Sequence, residues 1–303
     1  MAIAREMSRT QVRMIAVDMD GTLLNSSGKV SARTLAAVMA AEEADVEVVI
    51  ATGRRHSYAM QNLRSLDLKQ SNVLISSNGT VTRTIAAELL DRTLMPLESA
   101  RRLCEQLRPY RNALVLTFDR VLADGDDLRG AMVVERMEEL NTSVGRWMEA
   151  NERYIERIDP IELALGSDAP VQAMVCGTVD RMRVAEALLI NGPLAAEISV
   201  HRTEYAERDL SIVDILPAGC SKGTALLRLA AQRGVAPGEI MAIGDNWNDV
   251  AMLKAVGRPV VMANAPPALL ESAAALGWAI TGGHDQDGVA TAIEAVCLAQ
   301  AAR

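Results

Sequence analysis

The sequence of 303 residues has few aromatic side chains, with one Phe, three Trp and four Tyr. Because 50% of the residues are hydrophobic, the core must be aliphatic, built largely from Ala, Leu, Val, Ile and 15 Met. The chain also has fewer basic than acidic residues, 31 Lys and Arg against 39 Asp and Glu, so its formal net charge is −8. An acidic protein is a poor partner for nucleic acid or an anionic membrane. A single basic pocket for a phosphorylated metabolite is still compatible with this charge.

Paired cysteines and long apolar runs are missing as well. The cysteines form no CxxC pair, which argues against a zinc site or redox motif and favours free thiols in a reducing cytosol; they are Cys104, Cys176, Cys220 and Cys297. The three histidines show no ligand spacing. Neither an apolar signal core nor a run of about 18 apolar residues is present. We therefore expect a cytoplasmic protein, a monomer or small homo-oligomer, with residues 1–10 as a frayed tail.

Strands and helices alternate from Arg13 onward. Continuous aliphatic runs favour a parallel sheet covered on both faces, and repeated βα units favour a doubly wound α/β fold. The predicted strands are 14–18, 46–53, 72–79, 239–245 and 259–265, and the predicted helices are 31–45, with Ser31 as N-cap, 56–66, 221–234 and 248–257.

Residues 84–216 have a different sequence pattern, in which short strand-like segments lie between helices of mixed spacing. Strands are predicted at 113–119, 171–177, 197–202 and 210–216, and helices at 97–110 and 181–190. This mixture favours a separate α+β module inserted into the doubly wound fold. The sequence thus predicts a discontinuous core, 11–83 with 217–303, and an inserted domain, 84–216.

The segment RMIAVDMDGTLL, residues 13–24, carries two acids at the end of a strand. Asp18 and Asp20 lead directly into Gly21 and Thr22. Carboxylates this close repel each other by roughly 4 kcal/mol at 4 Å and an effective dielectric near 20. A cation between their oxygens relieves that repulsion, and ligation by oxygen alone indicates Mg²⁺. A solvated Asp-Gly turn is the alternative on this segment alone.

Three further segments place reactive groups at comparable positions. Thr52, Gly53 and Arg54 follow a strand and form a turn suited to cradling an anion, although Thr52 could be a simple N-cap and Arg54 could face solvent. Lys222 stands in the first turn of a helix, where a cation opposes the helix dipole, so either a ligand or plain solvation accounts for it. Asp245 ends a strand and Asp249 follows one turn later. Together these groups predict a metal site facing a phosphate site.

These four motifs, DMDGT, ATGR with Thr52, SKG with Lys222 and GDNWND, resemble those of the haloacid dehalogenase (HAD) superfamily. The segments ISSNGT at 75–80, VVMANAPPALLESA at 260–273 and DQDGVATAIEAV at 285–296 resemble the Cof-type, or type IIB, hydrolases of that superfamily. The resemblance implies a Rossmann-like core with residues 84–216 as an α/β cap that sets substrate specificity. Trp278 stands near a point where this subgroup often carries Asp or Tyr, outside the motifs.

The resemblance also implies roles. Asp18 would be the nucleophile that forms an aspartyl-phosphate, and Asp20 the general acid and base. Mg²⁺ would be held by the Asp18 and Asp245 carboxylates and the Asp20 carbonyl, with Asp249 binding through water or orienting Lys222. The non-transferring phosphoryl oxygens would be bound by a set of polar groups, namely Thr52, Gly53, Arg54, Asn78, Lys222 and Asn248.

The leading interpretation is a Mg²⁺-dependent phosphatase acting on a small phosphate monoester such as a sugar phosphate. A phosphomutase or phosphotransferase on the same scaffold is the alternative within enzymes. A phospho-acceptor signalling module also combines Asp, Thr and Lys on a doubly wound sheet. Such a module lacks an acid at the place of Asp20 and needs no insertion like 84–216, so both features disfavour it.

Overall fold

The computed structural model describes residues 11–166 and 168–301, so the expected N-terminal tail lies outside the described residues. Within them, one sheet has the strand order β14-β13-β12-β1-β2-β3-β4-β5 and is parallel from β14 through β3. Its strands are β1 Met14–Asp18, β2 Glu47–Ala51, β3 Val73–Ser76, β4 Val81–Thr84, β5 Leu89–Arg92, β12 Ile240–Gly244, β13 Arg258–Met262 and β14 Ala279–Thr281.

Helices cover both faces of this sheet. The alternate residues of β1 separate cleanly, because Met14 and Ala16 pack into one aliphatic cluster and Ile15 and Val17 into another. This double burial explains why the strand is apolar throughout. The helices are α1 Ala32–Glu43, α2 His56–Leu63, α6 Lys222–Gln232, α7 Val250–Lys254, α8 Pro267–Ala275 and α9 Gly288–Ala301. The predicted doubly wound α/β fold is confirmed, including the Ser31 cap on α1, whose side chain accepts from Thr34 N.

The second sheet is mostly antiparallel, with the order β10-β11-β9-β6-β7-β8 among the described residues. Its elements are β6 Leu114–Thr117, β7 Met132–Val134, β8 Ile155–Arg157, β9 Gln172–Gly177, β10 Ile198–Tyr205 and β11 Leu210–Pro217, with helices α3 Leu97–Gln106, α4 Glu138–Asn151 and α5 Val179–Ile190. Clusters of buried side chains lie on this sheet, separate from those of the first.

The first sheet extends further along the chain than the sequence indicated. Strand β5 falls inside the range 84–216 predicted for the inserted domain, yet it pairs with β4 at the edge of the first sheet. The side chains of this edge strand are half-exposed and two of its residues in LLDR are charged. It therefore lacks the apolar pattern by which the buried strands were predicted. By strand pairing, therefore, the chain leaves the first sheet after Arg92 and returns after Pro217. No helix in the described part of the chain is both long and apolar enough to span a membrane.

Candidate active site

The strand order reverses at β1, which lies between β12 and β2, and this is the position where open α/β sheets bind ligands. Asp18 ends β1 and Asp245 directly follows β12, so two parallel neighbours deliver both acids to the same edge. Lys222, at the start of α6, reaches between the segments and donates to Asp18 Oδ1 at 2.5 Å and to Asp249 Oδ1 at 2.7 Å. Lys222 is fully buried, which excludes the alternative that it is a solvent-exposed lysine without a ligand.

Asp249 is also completely buried and organises the loop after β12. Its Oδ2 accepts from the backbone N–H groups of Asp245 at 3.0 Å and Asn246 at 3.1 Å. Gly244 permits this approach, because a Cβ there would lie 2.6 Å from the Cβ of Asp249. One oxygen of Asp249 thus accepts from the loop backbone and the other from Lys222.

Burial and mutual repulsion dominate the electrostatics of this cluster. Burial, followed by the charge of Asp249, raises the pKa of Asp18 to about 7 against the opposing effect of Lys222. The pKa of Asp245 is raised well above its usual value by burial and by Asp18. Burial alone would lower the pKa of Lys222, but the carboxylates of Asp18 and Asp249 outweigh it and raise that pKa. The lysine is therefore held as a cation.

The acidic cluster fits a divalent cation. Carboxylate oxygens of Asp18, Asp245 and Asp249 all lie within 4.8 Å of one another. Lys222 offers a single positive charge against three buried acids, and oxygen donors suit Mg²⁺. Gly21 has φ +77° and a Cβ there would lie 2.4 Å from Asp245 Oδ2, so a larger residue would press on the cluster. The Asp20 side chain is not part of it.

Asp20 instead faces the loop after β2. Arg54 donates to both carboxylate oxygens of Asp20, from Nε at 2.8 Å and from Nη2 at 2.5 Å. Its Nη1 donates to Asn62, and the guanidinium stacks over the Tyr58 ring at 4.7 Å. Arg54 therefore does not face bulk solvent, the alternative considered for it above. Thr52 is fully buried and its Oγ1 accepts from Arg54 N at 3.1 Å.

The remaining predicted phosphate-binding residues contact one another. Asn248 Nδ2 donates to Asn78 Oδ1 at 3.2 Å, and Asn78 Nδ2 donates to Asp214 Oδ2 at 2.9 Å. Gly53 lies against the same amide, since a Cβ at Gly53 would be 3.1 Å from Asn78 Nδ2. Asp214 belongs to β11 of the second sheet, so this sheet reaches the predicted phosphate pocket. Burial raises the pKa of Asp214 to about 7, although its hydrogen-bond donors oppose that rise.

A cavity of about 1010 Å³ separates the two sheets over the cluster. Its floor includes Asp18 and Asp245 from the first sheet, and its roof includes Gln172, Tyr205 and Asp214 from the second. The acids are buried within the protein but open onto this space. A small molecule in the cavity would therefore contact both sheets.

Sequence reasoning missed two residues of this site. Asn264 donates to Asp245 Oδ2 at 3.3 Å and to the Gly21 carbonyl at 2.8 Å, linking the two acid-bearing loops. Its position just after β13 was a usable signal, because polar residues at strand ends gather at the same sheet edge. Asp214 lies inside a strand whose neighbouring residues are mostly apolar. A single acid within the apolar segment LSIVDIL was the signal that could have identified it.

The fold and the cluster are those of a two-sheet α/β enzyme with an acidic site at the switch point of its parallel sheet. Residues 15–293 match the family model of the haloacid dehalogenase-like hydrolases, and the chain belongs to this family. The predictions of superfamily membership and of a hydrolase are confirmed.

Relatives and solved structures agree with this assignment. The chain is 28% identical to 5-amino-6-(5-phospho-D-ribitylamino)uracil phosphatase YwtE of Bacillus subtilis (strain 168), over 95% of this chain and 99% of that protein. It is 29% identical to an HMP-PP phosphatase of Escherichia coli O1:K1 / APEC, over 85% of this chain and 86% of that one. The solved structure of BT4131, described as a HAD subclass IIB sugar phosphatase, superposes with a TM-score of 0.73 at 20% identity, over 93% of this chain and 98% of that one.

Proposed function

We propose that this protein is a Mg²⁺-dependent cytoplasmic phosphatase that hydrolyses a small phosphate monoester, such as a sugar phosphate, through an aspartyl-phosphate on Asp18. The observation that carries the proposal is the buried cluster of Asp18, Asp245 and Asp249 around Lys222, of which Asp18 and Asp245 line the cavity between the sheets. The names of the relatives, which are phosphatases of phosphorylated metabolites, support the same reaction. Buried free thiols, including Cys104 and Cys176, suit a reducing compartment.

Asp18 is assigned as the nucleophile because it ends β1 at the centre of the switch point. Lys222 holds its Oδ1, which leaves Oδ2 to attack phosphorus and form the acyl phosphate as the alcohol departs. Asp18, Asp245 and the Asp20 carbonyl would hold Mg²⁺, while Asp249 would orient Lys222. When bound, the ion would offset the negative charge of the cluster and of the phosphoryl group.

Asp20 is assigned as the general acid for the leaving alcohol and then as the general base for the hydrolytic water. Arg54 donates to both carboxylate oxygens of Asp20, the atoms through which it would act as acid and base. In the acid step the proton must reside on Asp20, so we infer that Arg54 shifts toward the incoming phosphoryl oxygens. Thr52, the Gly53 N–H, Asn78, Lys222 and Asn248 would complete the phosphate pocket.

Hydrolysis of p-nitrophenyl phosphate with Mg²⁺, with and without EDTA, tests the proposal. Asp18→Asn should be inactive, and Asp180→Asn, whose side chain is 94% exposed, should match the wild type. Acid-quenched enzyme analysed by mass spectrometry should carry phosphate on the peptide that contains Asp18. Full activity of Asp18→Asn, or of the EDTA-treated wild type, would refute the mechanism. Transfer of phosphate to an added alcohol in preference to water would indicate a phosphotransferase instead.

A panel of phosphorylated sugars, nucleotides and cofactors would then identify the substrate class. Specificity within the panel is expected to depend on the second sheet, because that sheet forms the roof of the cavity.

A further inference from the structure

A line of four polar side chains crosses from the first sheet to the second at the edge of the candidate phosphate pocket. It runs from Asn248 through Asn78 to Asp214 and ends at Gln172, which donates Nε2 to Asp214 Oδ1. All four side chains are buried. Asn248 and Asn78 belong to the first-sheet part of the chain, whereas Asp214 in β11 and Gln172 in β9 belong to the second sheet.

The hydrogen-bonding chemistry of Asp214 determines how the two amides in this line are oriented. Above its pKa of about 7 Asp214 is an ionised carboxylate, which only accepts hydrogen bonds, whereas a side-chain amide presents a donor on one side and an acceptor on the other. Asn78 must therefore turn its NH₂ group toward Asp214, which leaves Oδ1 facing Asn248. Asn248 in turn must donate from Nδ2, as it does at 3.2 Å. The orientation of both amides thus follows from one acid on the second sheet.

The backbone around Asn78 leaves little room for an alternative. Asn78 has φ +53°, in the left-handed region, and follows Ser77 with φ +48°. Next to it, Gly79 has φ +100°, and a Cβ there would lie 2.2 Å from the Ser221 carbonyl, directly before Lys222. The loop is therefore packed against both the Lys222 segment and the turn at Gly53. With the backbone held in this way, only the orientation of the Asn78 side-chain amide can still vary.

We propose that Asp214 is a positioning residue, which fixes the amide orientations of Asn78 and Asn248 and so makes the second sheet part of the phosphate-binding machinery. The proposal rests on the proposed function for the assignment of the pocket. It adds that phosphate affinity, and not only leaving-group selection, depends on a residue of β11.

A purely structural role is the competing explanation, because buried acids also join the two sheets elsewhere. Asp119 supplies a matched comparison: Arg83 of β4 donates to its two oxygens at 2.8 and 3.0 Å, and its side chain is 6% exposed. Asp119 does not line the cavity. Loss of a buried contact between the sheets can therefore be separated from loss of amide orientation.

The experiment compares Asp214→Asn, Asn78→Ala, their combination and the control Asp119→Asn. It measures inorganic phosphate binding by calorimetry with Mg²⁺ at pH 8, together with kcat, KM for p-nitrophenyl phosphate and Tm. We expect Asp214→Asn to weaken phosphate binding roughly tenfold, as for one mispaired buried polar group. Asp119→Asn should lower Tm but leave phosphate affinity within about twofold of wild type. On the Asn78→Ala background, Asp214→Asn should add almost nothing, since it acts through Asn78.

Unchanged phosphate affinity in Asp214→Asn, or additive losses in the double variant, would overturn the proposal and leave Asp214 as a structural contact. Asp214→Ser, which also removes the carboxylate, replaces Asp214→Asn if the latter does not fold. A wild type that neither binds phosphate nor hydrolyses the ester would refute the proposed function itself, which is a distinguishable result.

Discussion

Lys222 donates to Asp18 Oδ1 at 2.5 Å across 204 residues of sequence, and both side chains are buried. The pair joins the end of β1 to the start of α6. Lys222 also donates to Asp249, so a single cation holds three segments of the chain together. The same side chain is therefore expected to support both the stability of the site and its chemistry.

Replacing Lys222 with Met should lower both the stability and the activity of the protein, and the two losses can be measured separately. The substitution keeps most of the volume and leaves Asp18 and Asp249 facing each other without a cation. Breaking a buried ion pair from one side costs about 3–5 kcal/mol, so the free energy of unfolding in urea should fall by that order. Phosphatase activity should be lost. Lys254→Met, at an exposed position of α7, is the control and should change stability by less than about 0.5 kcal/mol. A fully stable Lys222→Met protein would show that the ion pair is dispensable for folding.

Asp18→Asn should remove turnover while keeping the fold. The change is isosteric and removes one of three buried acids that repel one another, so circular dichroism and Tm should show an intact protein. In metal-free buffer, inorganic phosphate should bind at least as tightly as to wild type, since the anion then meets less repulsion. Residual turnover comparable to wild type would exclude Asp18 as the nucleophile, and weaker phosphate binding would contradict the electrostatic argument.

Asp20→Asn should lower activity in a way that depends on the leaving group. General acid–base catalysis contributes roughly 10²–10⁴-fold, and a leaving group such as nitrophenolate needs no proton. The loss should therefore be small for p-nitrophenyl phosphate and large for an alkyl phosphate, as measured by kcat/KM. Asn62→Ala, which removes the other acceptor of Arg54, is a control that leaves Asp20 in place. Equal losses on both substrates would remove Asp20 from the acid role.

The sequence allowed much of the site to be predicted because its key residues carry local signals. Asp18 and Asp245 directly follow aliphatic runs, and parallel neighbouring strands bring such positions to one edge. Lys222 stood out as a cation in the first turn of a helix. These positions depend on local pattern and on the doubly wound topology, both of which are readable from a single chain.

The rest depends on contacts between distant segments. No periodicity indicates that Arg54 pairs with Asp20, or that Asp214 contacts Asn78 across 136 residues. Strand β5 was missed for a related reason, because an edge strand with half-exposed side chains lacks the apolar pattern of a buried one. The roles of the individual site residues and the division into core and inserted domain stay predictions.

Mg²⁺ should stabilise the protein apart from any effect on turnover. A ligand that binds only the folded state raises stability by about 2.7 kcal/mol at 100 times its dissociation constant. We therefore expect Tm to rise with added Mg²⁺ and to return after EDTA. Asp245→Asn should lose most of this shift, whereas Asp180→Asn should keep it. An equal shift in both variants would indicate that the ion binds outside the acidic cluster.

The pH dependence of stability should report the burial of Asp214. Its pKa is raised from the ordinary 3.8 to about 7 in the folded protein, with burial as the main cause. A folded-state pKa above the unfolded value means that the folded protein holds the proton more tightly, so this contribution is present below about pH 4 and is lost as the pH rises through about 7. Asp214→Asn cannot titrate, and Asp18 and Asp245 are common to both proteins.

The difference in unfolding free energy between wild type and Asp214→Asn should therefore change steadily between pH 4 and pH 7, to the disadvantage of wild type. Each unit by which the two pKa values differ corresponds to about 1.4 kcal/mol. Urea unfolding in metal-free buffer at several pH values measures this difference directly. Parallel stability curves for the two proteins would mean that Asp214 ionises in the folded state as readily as in water, and that the cavity around it is well hydrated.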